Sequence, residues 1–392
     1  MNLVFKDPTA GGRTTVGAGE AFTDYQIHGL MGVRLVNAAA KDIARATAEL
    51  GLQPAPFSGE AGLVVRFVES LATSEPLCQL GRDDVGFTRD EFILLRSRNL
   101  ARARAQIDFA SLGRQVEITC ESGLPAIPLF RQLINMVMLA RGIVPVHSAA
   151  FEFEGRGVLV TGWSHGSKTG TLLAFMAEGA SFVGDEWIYL DPAGGRMVGL
   201  PDHLEARPWY LDDLPQYRRL AGKGARLRVG LARNLARWIA PLDRSAQMQG
   251  SLMAKAIRMA HQGLVGQQSI VLRPQALFGP EACTLQSGLD VVIVAIGRDS
   301  PRVDIEATPV EQVARQMAVS FKFEHATLLS CYDKFRFAFP DRRNALLDDL
   351  EEIYFGHALR GLSGKPAFTM LHPYPVSIDS LRNAVAPLIK SL

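Results

Sequence analysis

Val36, Ala39, Ile43, Ala46 and Leu50 recur at helical spacing, which predicts an amphipathic helix over about 32–50. The period then changes. Leu63-Val64-Val65-Arg66-Phe67-Val68, Phe92-Ile93-Leu94-Leu95 and Val116-Glu117-Ile118-Thr119-Cys120 are short β-favouring runs separated by Gly, Asp and Ser. Residues 62–120 therefore read as strands and turns. Leu129, Phe130, Leu133, Ile134, Val137 and Met138 return to a helical stripe, with Gly142 placed to cap its C-terminal end. The glycine-rich, weakly patterned residues 1–30 read as a loosely ordered leader. The expectation is a leader (1–30), an N-terminal α+β domain (31–142) and a second α/β domain (143–392).

The second domain has its own grammar. Val158-Leu159-Val160-Thr161 is a buried-looking strand that runs into Gly162-Trp163-Ser164-His165-Gly166-Ser167-Lys168-Thr169. A helical stretch with Leu172, Leu173, Phe175 and Met176 ends at Gly179, and Ser181-Phe182-Val183 reads as the next strand. Further on, Val291-Val292-Ile293-Val294-Ala295-Ile296 predicts a core strand, while 309–319 and 344–355 predict helices. Gly297-Arg298-Asp299-Ser300-Pro301-Arg302 follows that strand and reads as a surface turn; Arg298 and Arg302 are its candidates for reaching a phosphate.

Composition narrows the class. The 392 residues are 47% hydrophobic and 21% charged, which fits a globular chain and excludes a disordered, collagen-like or disulfide-scaffold one. The net charge of +2 gives no overall field for nucleic acid or membrane. No uncharged apolar run approaches the ~20 residues of a membrane span, and the first residues lack a signal-peptide pattern. Cys78, Cys120, Cys283 and Cys331 form no CxxC pair, so free thiols and a cytoplasmic location are expected. The local exception is a basic, helical insertion at about 216–262, where ten Lys and Arg face one acid, Asp243. It reads as a solvated helical face or as a dock for an acidic or phosphorylated partner. It lacks the aromatic interleaving of single-strand binders, although Trp238 is present. No HxxxH or CxxC spacing supports zinc, and no G-x-S-x-G elbow supports a hydrolase.

The chemistry is in the loop. Strand, glycine-containing loop, helix and strand form the setting of a phosphate-binding loop, G-x-x-x-x-G-K-[ST]. Successive backbone N–H groups there converge on phosphate at a helix N-terminus, where the dipole favours negative charge. Gly162, Lys168 and Thr169 stand at the expected positions. Ser167 replaces the second glycine, and Gly166 sits one place early. If position 167 takes positive φ, the serine costs about 1 kcal/mol. The competing reading is a Gly/Ser turn with a solvated lysine. Beyond the loop helix, Asp185 and Glu186 end the next strand, and His147 stands just upstream of the loop strand. Either carboxylate suits a metal or an acceptor hydroxyl.

The order of His147, loop, helix and paired acids resembles the HPr kinase/phosphorylase family, within the phosphoenolpyruvate-carboxykinase-like P-loop kinases. The likeness covers residues 143–200, on His147, Gly162, Ser164, Lys168, Thr169 and Asp185, with Ser167 and Glu186 as departures. Leu204-Glu205-Ala206-Arg207 loosely resembles that family's Leu-Glu-Ile-Arg stretch. The resemblance implies a mixed-sheet P-loop kinase core and an ATP- and Mg²⁺-dependent phosphotransferase. Gly162, Ser164, His165, Gly166, Ser167, Lys168, Thr169 and Gly170 would hold the nucleotide, and Thr169 with Asp185 the Mg²⁺. Asp185 or Glu186 would be the base, aided by His147 and Lys168. The acceptor would be a hydroxyl, on a serine of a protein or peptide or on a small molecule. A homo-oligomer is left open. Two rival readings remain: a non-catalytic nucleotide-binding regulator, and a phosphate-dependent phosphorylase or phosphatase.

Overall fold

The computed structural model describes residues 20–71, 75–80, 85–95, 104–163, 166–192, 195–220 and 270–392, with six single positions between 227 and 238. The chain is mixed α/β and divides into two compact units. The first holds Met1–Val146, Tyr189–Leu200 and Val310–Ser363; the second holds His147–Ile188, Pro201–Pro309 and Gly364–Leu392. A single cut near residue 142 therefore does not describe it. The helices Val310–Glu324 and Ala326–Ala338 join the first unit because their aromatics pack there. Phe335 stacks on Phe109 at 4.0 Å between ring centroids and also meets Phe87.

The first unit is built on eight strands: β1 (Phe22–Ile27), β2 (Met31–Val36), β3 (Leu63–Val68), β4 (Cys78–Gln79), β5 (Val85–Phe87), β6 (Glu91–Leu95), β7 (Arg104–Asp108) and β8 (Val116–Glu121). Their order is β1-β2-β3-β8-β7-β6-β5-β4, with β2, β3 and β8 parallel. The helices α1 (Ala40–Leu50) and α2 (Phe130–Ala140) follow β2 and β8. Two expectations are corrected here. Residues 22–30 are not leader: β1 pairs antiparallel with β2 and buries Tyr25 and Ile27. The helix expected over 32–50 starts only at Ala40, because Val33 and Leu35 alternate inward as a strand and Asn37 turns the chain at φ +56°. Residues 1–19 lie outside the described residues.

The second unit begins in β9 (Val144–Phe153), which pairs antiparallel with β10 (Arg156–Gly162). Next come α3 (Lys168–Met176), β11 (Ser181–Gly184) and β14 (Leu204–Ala206), while β12 (Trp187–Asp191) and β13 (Arg196–Gly199) lie mostly in the first unit's stretch Tyr189–Leu200. After α4 (Pro208–Asp213) stand β15 (Ile270–Leu272), β16 (Gln286–Gly288), β17 (Val291–Gly297), β18 (Asp304–Ala307) and β19 (Ala367–His372). Within this unit the strands pair in the order β9-β10-β17-β19-β18, and β11 also pairs antiparallel with β9. The strands β10, β17 and β19 are parallel, so Gly162, Gly297 and His372 finish at one edge. Ligand sites of open α/β sheets gather at that edge.

Alternation along the strands decides which face is covered. Phe151, Val158, Val160, Ile293 and Ala295 meet Leu172, Leu173 and Phe175 of α3 and Leu381, Val385 and Ile389 of the C-terminal helix Ile378–Lys390. Phe151 and Phe175 stack at 4.8 Å. Burying each such side chain stabilises by roughly 1.5–3 kcal/mol, so α3 is held firmly at a fixed height on the sheet.

All four cysteines are free thiols. No described helix is long and apolar enough to cross a membrane. Of the basic insertion, Pro215–Leu220 is helical and most of 221–262 lies outside the described residues.

Candidate functional site

The site begins where β10 ends. Gly162 has φ +146°, and a Cβ there would lie 2.3 Å from the Ala295 carbonyl oxygen on β17. Only glycine lets the two strands approach so closely at this point. Gly162→Ala is expected to lower stability by about 1–3 kcal/mol, read as a lower urea midpoint at unchanged slope. The chain then turns back: the Gly166 N–H donates to the Trp163 carbonyl at 3.0 Å. Ser164 and His165 lie outside the described residues. From the other side, His372 at the end of β19 brings Nε2 to 3.2 Å from the Gly166 carbonyl oxygen.

Ser167 has φ +62° and ψ +20°, so the serine stands in the left-handed conformation that the loop glycine would occupy. That costs about 1 kcal/mol. Its carbonyl accepts the Thr171 N–H at 2.9 Å and the Thr171 hydroxyl at 3.1 Å, which starts α3. The N–H groups before Thr171 belong to the helix's first turn, where no intrahelical carbonyl serves them. Lys168 is 7% exposed, and its Nζ donates to the carbonyls of Trp163 at 3.0 Å and Gly162 at 3.4 Å. The ammonium is therefore folded over the loop it would serve, not solvated.

Across from the helix start lies the acid pair. The Thr169 hydroxyl donates to Asp185 Oδ2 at 3.0 Å and Oδ1 at 3.2 Å. The Trp187 N–H donates to the Asp185 carbonyl at 2.9 Å, closing a three-residue turn around Glu186 at φ +68°. The Glu186 carbonyl accepts the Ser148 N–H of β9 at 3.0 Å, which pins this turn to the sheet. The turn sends the two carboxylates different ways. Asp185 is buried toward Thr169, while Glu186 Oε2 lies 3.2 Å from His147 Nε2. The His147 ring stacks on Trp187 at 5.7 Å.

These surroundings split the two acids. Burial, and then the Glu186 charge, push Asp185 up to about 8 against the pull of Thr169, Lys168 and His147. Burial also acts to raise Glu186. There the His147 hydrogen bond and charge, with Lys168 and His203, outweigh it and leave Glu186 below the ordinary carboxylate range. Near neutrality the pair thus holds a proton on Asp185 and a charge on Glu186. Two adjacent acids with opposite shifts can divide two tasks.

His147, Gly162, Gly166, Ser167, Lys168, Thr169, Gly170, Asp185 and Glu186 thus come together. Arg298 does not join them; it forms an ion pair with Asp304 across its own turn. Leu204–Ala206 is a strand paired with Ile270–Leu272, and Glu205 points outward. Three neighbours were missed from sequence. His203 acts on Glu186, His372 braces Gly166, and Tyr210 packs against Gly170. The only available signal was that His203 and His372 each stand at a strand end.

Among the described residues no group of three or more His, Cys, Asp or Glu could hold a metal ion. Mg²⁺ asks for less, commonly one or two protein oxygens with water and phosphate completing the shell. The hard oxygens of Thr169 and Asp185, already within 3.0 Å of each other beside the loop, fit it.

No family model and no curated protein matches the chain. Among solved structures it is weakly similar to an HPr(Ser) kinase/phosphatase from Coxiella burnetii. The overlay covers 50% of this chain and 98% of that chain at 14% identity, with a TM-score of 0.20. A superposition that loose carries no argument about fold or activity.

Proposed function

We propose that the chain is an ATP- and Mg²⁺-dependent phosphotransferase of the P-loop kinase type, with a hydroxyl as acceptor. The observation that carries this reading is the convergence of Lys168, Thr169 and the Asp185–Glu186 pair at the start of α3. First-turn N–H groups and the loop amides bind the phosphates. Lys168 leaves its two carbonyls for the terminal phosphate and offsets the charge that develops there. When bound by Thr169 and Asp185, Mg²⁺ supplies charge neutralisation on the phosphate oxygens.

Glu186 is the base. The acceptor oxygen attacks the γ-phosphorus, the bond to the ADP oxygen breaks, and the hydroxyl proton passes to Glu186. A carboxylate of low pKa suffices because such transition states are loose and need little prior deprotonation. His147 orients Glu186, and its stack on Trp187 fixes the ring.

Calorimetry with Mg·ATP tests the reading, followed by ADP release with serine peptides and small alcohols as acceptors. Micromolar binding and acceptor-dependent ADP are expected. A chain that binds no nucleotide refutes the reading, and one that binds without releasing ADP is a nucleotide-binding regulator.

A further inference from the structure

Beside the loop, two buried hydroxyls lack a partner at hydrogen-bond geometry among the described residues. They are Ser167 Oγ and Tyr210 Oη, and Trp209 Nε1 is a third such atom. Ser167 is 5% exposed and Tyr210 2%. Buried polar groups are nearly always paired, so a cluster of exceptions calls for a reason. Ser167 and Trp209 are the polar groups close enough to act on the Tyr210 hydroxyl, and burial raises its pKa. The end of its ring fills the place of a Cβ on Gly170: Cζ lies 2.5 Å and Oη 2.8 Å from that position. Glycine at 170 thus lets Tyr210 rest on the first turn of α3. The Ser167 hydroxyl is shielded from solvent.

We infer that Ser167 and Tyr210 act as a hydroxyl pair that holds the loop in its left-handed turn, making Tyr210 a positioning residue for the triphosphate. The inference rests on the phosphotransferase reading. A glycine at 167 would need no such support, since the left-handed region is open to it. A serine does, and its hydroxyl closes on Tyr210 as the loop tightens around phosphate. The departure from the usual loop sequence is then part of a compensated pair.

A double-mutant cycle on Mg·ATP affinity tests this. Tyr210→Phe keeps the ring and removes only Oη. It is expected to weaken binding about 5–10-fold in the natural background and less than about 2-fold beside Ser167→Gly. Ser167→Ala keeps the strain and loses the hydroxyl, so it should match Tyr210→Phe, and the double variant should be no worse than either. The loss should appear in KM more than in kcat, whereas a loss of folded protein would lower apparent kcat; urea unfolding of each variant separates the two. Equal losses by Tyr210→Phe in both backgrounds, or none in the natural one, overturn the pair while leaving the phosphotransferase reading intact. If the natural chain binds neither Mg·ATP nor pyrophosphate, the reading itself has failed, and the positioning role falls with it.

Discussion

Lys168→Ala is expected to lower kcat/KM for Mg·ATP by about 10²–10³-fold, with most of the loss in kcat. The ammonium is almost wholly buried and faces the loop carbonyls of Gly162 and Trp163. In the proposed phosphotransferase it would meet the terminal phosphate with little competing water, where a charge acts far more strongly than at an exposed surface. Charge grows on the transferring group during reaction, so the lysine does more for the transition state than for bound nucleotide. Lys168→Arg should rescue poorly, because the wide planar guanidinium does not fit a niche built for a compact head group. Stability should change by about 1–2 kcal/mol, as two loop carbonyls lose their donor and the acid pair loses a nearby positive charge. Steady-state kinetics with urea unfolding of the same preparations decides it. A loss below about threefold would make Lys168 a structural tie across the loop and nothing more.

What could be read from sequence was whatever is contiguous. The strand Arg156–Gly162, the loop and the helix Lys168–Met176 lie within twenty or so residues, and each carries a local signal. Asp185 was reachable because the next strand ends there. At Ser167 the loop pattern raised the question of a positive φ without settling it, and φ is +62°.

The remainder depended on distance along the chain. Nothing local in 310–363 says that Phe335 will stack on Phe109, more than two hundred residues earlier, so the interleaving of the two units was invisible. His372 and Tyr210 reach the loop from a distant strand end and a short helix, through contacts that periodicity does not encode. The strand Phe22–Ile27 was a different failure. Its alternation and the following His28-Gly29 turn, both at positive φ, were present but hidden by the glycine-rich residues before them. At Glu186 the sequence shows an acid beside an acid. Only the turn at φ +68° explains why one carboxylate faces Thr169 and the other faces His147.

That separation leads to the second large effect, which is a pH dependence. Asp185 holds its proton up to about 8 because of burial and the neighbouring Glu186 charge. If Asp185 is a Mg²⁺ ligand as proposed, it would have to give up that proton on binding, so apparent Mg²⁺ affinity should rise about tenfold per pH unit below 8 and level off above it. Without metal the sign is opposite for stability. Between the ordinary carboxylate range and 8, the folded state binds a proton that the unfolded state has lost. Stability therefore falls as pH rises through that window and is flat beyond it. Asp185→Asn removes this slope. The metal-free variant should unfold at a higher temperature than the natural chain at pH 9, with the gap closing toward pH 4, while Mg²⁺-dependent turnover is lost by about 10³-fold. Glu186→Gln leaves Asp185 in place but deletes the charge beside it, so the inflection in Mg²⁺ affinity should move to lower pH. Thermal unfolding from pH 4 to 9 and Mg²⁺ titrations over the same range give both curves. An Asn variant no more stable at pH 9, or an inflection that Glu186→Gln leaves unmoved, would mean that Asp185 is ionised in the fold. The division of labour between the two acids would then have to be reversed, with Asp185 as the ready base and Glu186 as the residue held in reserve by His147.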